Sequence, residues 1–315
     1  FEMGVPGTSM EHAVIKVVAK TFGFSDHANG LLCNGGTLAN LTALLTARAC
    51  ISAFPVWNAG NKSNMALMVS EEAHYCVERA ARIMGWGSEG IIKIPVDDQF
   101  KMKTNLLPQY LREAKSKGIE VIAVVGSACS TATGSFDNLT EIGAFCKANN
   151  IWFHVDGAHG AANAFSEDWK FLVEGIDTAD SVAMDFHKML LAPSLITALV
   201  LNDGRNQFKT FAQHAHYLWE NDASFEWHNV AKRSFECTKS MLSLPVYTLL
   251  YQYGTSLFSA YINRVNYLCQ YVYGQLNVNK NWEVPVPPSC NIICFRFLPS
   301  KSIDLIDINH LNKYI

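Results

Sequence analysis

An α/β fold with a mainly parallel central sheet, flanked by helices, is predicted by two features of these 315 residues. Short apolar runs alternate with stretches whose apolar residues recur at helical spacing. A parallel sheet demands that order, because each crossover must return the chain to the same edge before the next strand starts. The second feature is the position of polar residues. Asp156 and Lys188 each follow an apolar run, and ligands on this architecture collect at the carboxyl ends of strands.

The opening residues, Phe1-Glu-Met-Gly-Val-Pro-Gly, show no start methionine, signal peptide or helix cap, so the expectation is a piece of a longer chain. Leu31-Leu-Cys is an apolar stub that runs into Asn34-Gly35-Gly36-Thr37. Leu38, Leu41, Leu44 and Leu45 then mark a helix near 37–53. Strands are expected at 65–69, 91–94, 121–125, 151–155, 181–184 and 196–201, with helices near 73–84, 105–117 and 137–149. Residues 240–277 place Leu244, Tyr247, Leu250, Tyr251, Leu257 and Tyr261 at helical spacing and read as helices joining two domains. Pro285, Pro287 and Pro288 break that pattern before a short strand at 292–297. The expected division is a large ligand-binding domain over 1–250. Residues 251–315 then hold the connecting helices and the start of a smaller α+β domain.

With 49% hydrophobic and 17% charged residues, the chain can bury a substantial core. A net charge of −3 without a basic cluster excludes a general attraction to nucleic acid or anionic membrane. No run approaches the roughly 18 apolar residues of a membrane span. Nine cysteines are scattered without a disulfide framework and read as reduced cytosolic thiols, with Cys290 and Cys294 packed in a strand-like core segment.

The chemistry concentrates in His154-Val-Asp156-Gly-Ala158-His159 and in Asp180-Ser-Val-Ala-Met-Asp185-Phe-His187-Lys188. An acid after one strand and a lysine after another is the arrangement that pyridoxal phosphate (PLP) enzymes use. The lysine amine condenses with the cofactor aldehyde, and a buried carboxylate keeps the pyridine nitrogen protonated. A carboxylate and a cation about 3 Å apart interact by roughly 5 kcal/mol at an effective dielectric of 20, before desolvation. Taken singly, such a lysine is usually a solvated strand end, and an Asp before Gly is usually a turn residue. The Gly35-Gly36 turn adds a third part, since backbone N–H groups at a helix start, with the Thr37 hydroxyl, form a ready phosphate site. A zinc site on His154, Asp156 and His159 is the competing reading, and the strand-then-turn pattern with a distant lysine weighs against it.

With these parts in place, the chain resembles the group II PLP-dependent amino-acid decarboxylases, which act on aromatic amino acids, glutamate, cysteine sulfinate and diaminobutyrate. The matching stretches are Asn34 to Arg48, Glu71-Glu-Ala-His74-Tyr-Cys-Val-Glu-Arg79-Ala, Ser135-Phe-Asp137-Asn-Leu, Ile151 to Ala158 and Ala179 to Lys188. The resemblance is dense to about residue 205. It implies the fold type I, PLP-dependent transferase-like architecture, with a smaller C-terminal domain that is cut short here. It further implies PLP as cofactor, Lys188 as the Schiff-base lysine, Asp156 as the pyridinium partner, Ala158 against the ring and His74 stacked on its exposed face. Gly35, Gly36, Thr37, Ser130 and His187 fall among the cofactor contacts, with Asp185 nearby. The implied reaction removes the carboxylate of an L-amino acid to give the amine and carbon dioxide. A cytoplasmic homodimer with sites at the subunit interface is implied as well.

Two positions depart from the family pattern. Many relatives carry Asn where this chain has Asp185, and a carboxylate near a phosphate is unfavourable unless it points away or pairs with a donor. Better-known members also carry a loop tyrosine that protonates the substrate carbon, yet the stretch from Trp219 to Phe235 holds none after Tyr217. The position falls on Phe225, His228 or Asn229. With His228 there, an imidazole supplies the proton. With Phe225 there, reaction with oxygen to an aldehyde becomes conceivable. An aldehyde synthase, another fold type I enzyme and a non-catalytic homologue are therefore the alternatives.

Overall fold

The computed structural model describes residues 4–211, 228–236, 238–299 and 305–313. In chain order its strands are β1 (Asn29–Cys33), β2 (Asn64–Ser70), β3 (Ile91–Ile94), β4 (Ile119–Ser127), β5 (Trp152–Asp156), β6 (Ser181–Asp185), β7 (Thr197–Leu201), β8 (Trp282–Glu283) and β9 (Arg296–Phe297). Its helices are α1 (Val5–Thr21), α2 (Gly36–Ile51), α3 (Val56–Ala59), α4 (Tyr75–Ile83), α5 (Leu107–Ser116), α6 (Leu139–Asn149), α7 (Phe186–Met189), α8 (Phe208–Phe211), α9 (Ser243–Tyr253), α10 (Ser256–Asn277) and α11 (Leu305–Leu311).

The first seven strands form one sheet in the order β1-β7-β6-β5-β4-β2-β3. Pairing is parallel from β3 across to β6, while β7 runs antiparallel to both β6 and β1. The six strands expected from the sequence are all present, and the stub at 31–33 is a seventh, β1. The antiparallel β7 needs no helical crossover, because only the α7 turn and a short loop separate it from β6.

Strands with both faces covered read as unbroken apolar runs, since neither face meets water. One face packs Leu31, Leu67, Val125, Trp152 and Leu199 against α2 and α4. The other packs Leu32, Met68, Val124, Phe153, Val155 and Val200 against α1, α5, α6 and α10. Helix α2 is buried from Ala39 through Ala47, which explains why its sequence lacks a polar face. Helix α6 is capped by Asn138, whose side chain accepts the Glu141 N–H at 3.1 Å, and ends on Asn150 in the left-handed region.

Two elements differ from expectation. Residues 5–21 form a helix although Gly4 offers no side-chain cap. Pro6 sits in the first turn, where an N–H would have no partner. Burial of Val14, Ile15, Val18 and Ala19 supplies the stability that capping does not. A buried ion pair fastens the helix: Lys239 Nζ lies 2.7 Å from Glu11 Oε1, and the same oxygen accepts the Leu32 N–H. The strand expected at 292–297 shrinks to Arg296–Phe297, paired with Trp282–Glu283. Its earlier residues bond to a loop instead. Cys290 Sγ donates to the Gly134 carbonyl at 3.7 Å and Cys294 Sγ to that of Ala132 at 3.2 Å. Cys290 is fully buried as expected, whereas Cys294 is only half-buried.

Candidate active site

The topology sends five chain segments to one edge of the sheet. Strands β2, β4, β5 and β6 are mutually parallel, and β1 shares their direction because it is antiparallel to β7. Their carboxyl ends deliver, in turn, His74, the loop after Ser127, Asp156, the Asp185–Lys188 turn and the Gly35-Gly36 turn. Between them lies a cavity of about 430 Å³. Nine of the residues singled out in the sequence line it: Gly35, Gly36, Thr37, His74, Asp156, Ala158, Asp185, His187 and Lys188.

Two others stand apart. Ser130 Oγ is turned into its own loop, 2.7 Å from Thr133 Oγ1, and its neighbour Thr131 faces the cavity instead. His228 is exposed in a turn and does not line the cavity. Tyr217 and Phe225 of the same stretch lie outside the described residues.

Asp156 closes β5 and is nearly buried. Its Oδ1 accepts the Ala158 N–H at 3.3 Å, and the Cys76 thiol lies 3.9 Å from Oδ2. Lys188 sits in the one-turn helix after β6, with its side chain 40% exposed and Nζ 3.2 Å from Asp185 Oδ2. Asp185 also receives the Thr197 hydroxyl across the β6–β7 pair and faces His187 Nε2 at 3.5 Å. The carboxylate that departs from the family pattern therefore faces two donors, the Thr197 hydroxyl and the candidate lysine, with the His187 imidazole beside them. It lies under the start of α2, where the helix dipole favours negative charge; a Cβ on Gly36 would meet its Oδ1 at 3.2 Å.

Each imidazole is fixed by a backbone partner. His74 caps α4, its Nδ1 accepting the Cys76 N–H at 3.4 Å. His187 Nδ1 lies 3.0 Å from the Ile196 carbonyl. Gly35 occupies φ +94°, which favours glycine and allows the chain to turn from β1 into α2. The zinc reading finds no convergence. His154 turns to Asn40 and Ser181 inside the core, and His159 Nε2 turns to Asn291 at 2.8 Å. Among the described residues, the three potential metal-binding side chains that do converge are His74, Cys76 and Asp156, within 4.8 Å of one another.

Sequence reasoning missed Asn40, Cys76, Arg79 and Cys129, which also face the cavity. A signal existed for two of them. Asn40 lies one helical turn beyond Gly36, and Cys76 follows the cap residue His74 by two positions. Cys129 carried no such signal, because its loop had no predicted element.

The donor set fits PLP. A lysine amine, a nearly buried carboxylate, an imidazole at a helix cap and the N-terminus of a 16-residue helix share one cavity of ordinary ligand size. Comparison with known proteins points the same way. Residues 6–298 match the pyridoxal-dependent decarboxylase conserved domain. The chain is 29% identical to the aromatic-L-amino-acid decarboxylase of Bacillus atrophaeus over 311 residues, covering 98% of this chain and 64% of that protein. It is 28% identical to the aspartate 1-decarboxylase of Aliivibrio fischeri over 289 residues, covering 88% and 52%. A crystal structure of mouse CSAD superposes with a TM-score of 0.88 at 25% identity, covering 95% of this chain and 63% of that one. The chain thus spans between half and two thirds of the curated relatives it matches here. Because the match runs through all nine strands of the described residues and every strand end around the cavity, the chain belongs to the pyridoxal-dependent decarboxylase family.

Proposed function

We propose that this protein uses PLP to remove the carboxylate of an L-amino acid, releasing the amine and carbon dioxide. The observation that carries the reading is the placement of Asp156 and Lys188 at the carboxyl ends of adjacent strands, β5 and β6, in one cavity. Lys188 presents the amine that holds the cofactor aldehyde carbon, and Asp185 keeps that amine in place from 3.2 Å. Asp156 offers its carboxylate to the pyridine nitrogen. His74, fixed by its cap, and Ala158 would both hold the ring from the cavity wall. Gly35, Gly36 and Thr37 direct N–H and hydroxyl donors at the phosphate, with His187 beside them. When bound, the cofactor withdraws the electron pair left as the Cα–carboxyl bond breaks. His228 is retained as the proton donor to the substrate carbon.

Residues 1–250 would form the cofactor-binding domain and 251–315 the start of the smaller one. A homodimer is supported by exposed apolar side chains on and just beyond α9 and α10, with Tyr251, Tyr271 and Val278 between 65% and 81% exposed. The eight described cysteines are free, which supports a reducing compartment, the cytoplasm.

The test incubates PLP-loaded full-length protein with a pool of L-amino acids and follows products by mass spectrometry, with carbon dioxide, ammonia and oxygen in parallel. Amine without oxygen uptake is expected. Aldehyde with ammonia and oxygen uptake would instead assign an aldehyde synthase, the reading favoured by a loop without tyrosine. Lys188→Ala should abolish the visible absorbance of the lysine-bound cofactor, and an unchanged spectrum would refute its role.

A further inference from the structure

Behind Asp156 runs a line of buried polar groups for which the reaction has so far supplied no use. Trp152 Nε1 donates to Ser181 Oγ at 2.8 Å, and Ser181 Oγ lies 2.9 Å from His154 Nδ1. His154 Nε2 lies 2.8 Å from Asn40 Oδ1, and Asn40 Nδ2 donates to Cys76 Sγ at 3.2 Å. Cys76 Sγ ends the line 3.9 Å from Asp156 Oδ2. Ser181, His154, Asn40 and Cys76 are all at most 2% exposed, so water does not share these contacts.

The two ends, with the Asn40 amide oxygen toward His154 Nε2 and its nitrogen toward Cys76, set one consistent direction, although His154 Nδ1 also lies 3.2 Å from the Ser181 carbonyl. An indole N–H only donates, and an ionised carboxylate only accepts. Each group between must therefore accept on one side and donate on the other. Ser181 accepts from Trp152 and gives its hydroxyl proton to His154 Nδ1. His154 then carries its proton on Nε2 and gives it to Asn40. The Asn40 amide donates to Cys76, and the thiol proton points at Asp156. Burial pushes the His154 imidazole down to about 4 and the Cys76 thiol up to about 12, so both are in the uncharged forms this order needs.

We propose that Asn40, His154 and Cys76 are positioning residues whose hydrogen bonds run in one direction and aim the Cys76 thiol proton at Asp156. They hold the carboxylate in one rotamer for the cofactor nitrogen. The proposal rests on the reading that Asp156 faces that nitrogen. With Asp156, these residues come from α2, α4 and β5, so two helices and the central strand jointly set the acid's orientation. A flipped Asn40 amide would draw the thiol proton to its own oxygen and leave Asp156 without it. His154, by fixing the amide, prevents the flip.

The test is binding of two cofactors to the apo-protein, followed by tryptophan fluorescence: PLP, and its 1-deaza analogue, in which ring C–H replaces the pyridine nitrogen. The ratio of the two dissociation constants isolates whatever acts through that nitrogen, because a general distortion weakens both ligands alike. Cys76→Ala and His154→Leu should each cut the preference for PLP by about three- to tenfold, the range of one ordinary hydrogen bond. Cys76→Ser, which keeps a donor, should retain it, and Asp156→Asn should reduce it most. If Cys76→Ala and His154→Leu leave the ratio at the wild-type value while Asp156→Asn collapses it, the line of donors has no such role. If Asp156→Asn itself leaves the ratio unchanged, the assignment of Asp156 falls and takes the proposal with it. Thermal melts of the apo-variants check folding, and should His154→Leu not fold, the Cys76→Ala and Cys76→Ser pair decides.

Discussion

Acidification should unfold this protein partly through His154. The imidazole is fully buried, and burial pushes it down to about 4, against the upward pull of Asp156 and of the Ser181 carbonyl. In the unfolded chain it returns to its model value of 6.5. Between those two values the unfolded state binds a proton that the folded state refuses, so stability rises with pH through the window and is lost as pH falls. Each unit of displacement corresponds to about 1.4 kcal/mol, so the loss approaches 3 kcal/mol by about pH 4. Asp137 works in the opposite sense. Burial raises it from 3.8 to about 6, so the folded state binds the extra proton and gains relative stability as pH falls through that range. The assay must therefore compare variant with wild type rather than follow wild type alone. Urea unfolding of the apo-protein and of His154→Leu, at steps from about pH 7 to 4, isolates the imidazole because Asp137 is common to both. The wild-type advantage should shrink by about 3 kcal/mol across the series. Parallel curves for the two proteins would refute the claim that His154 is held neutral.

Two further outcomes test the scaffold around the cavity. Glu11→Leu removes one partner of a pair whose side chains are at most 8% exposed and strands Lys239 without its counter-ion. The loss should be about 3 to 5 kcal/mol, read from the urea midpoint. Gly157→Ala, next to Asp156, would place a Cβ 2.4 Å from that of Ala161 and 3.1 Å from the Ala183 carbonyl. Overpacking of this kind should lower stability by about 1 to 3 kcal/mol and weaken PLP binding, measured by denaturation and by cofactor titration on the same sample.

Much of the fold was legible because a parallel sheet covered on both faces leaves a direct signal: apolar runs separated by helical stretches. Expected strands at 65–69, 91–94 and 121–125 lie within β2, β3 and β4 for that reason. Helix α1 was not legible, since its cap is a bare glycine and its stability comes from packing. The strand at 292–297 misled because an apolar run carries no record of its partner, and Cys290 and Cys294 bond to the loop that follows β4 rather than to a strand.

The sequence by itself determined the architecture and picked out the two candidate residues, Asp156 and Lys188, that the structure brings to one cavity. Strand ends are local, and their polar residues stand out against apolar runs. Only the tertiary structure decided how those residues are held. Asp185, suspect from sequence as a carboxylate near a phosphate, pairs with Lys188, His187 and Thr197 because β7 returns antiparallel beside β6. Asn40 meets His154 from 114 residues away, and Cys76 reaches Asp156 across 80. Contacts of that range leave no periodicity in a chain. They exist only once the sheet has brought the two helices and the central strand to one edge.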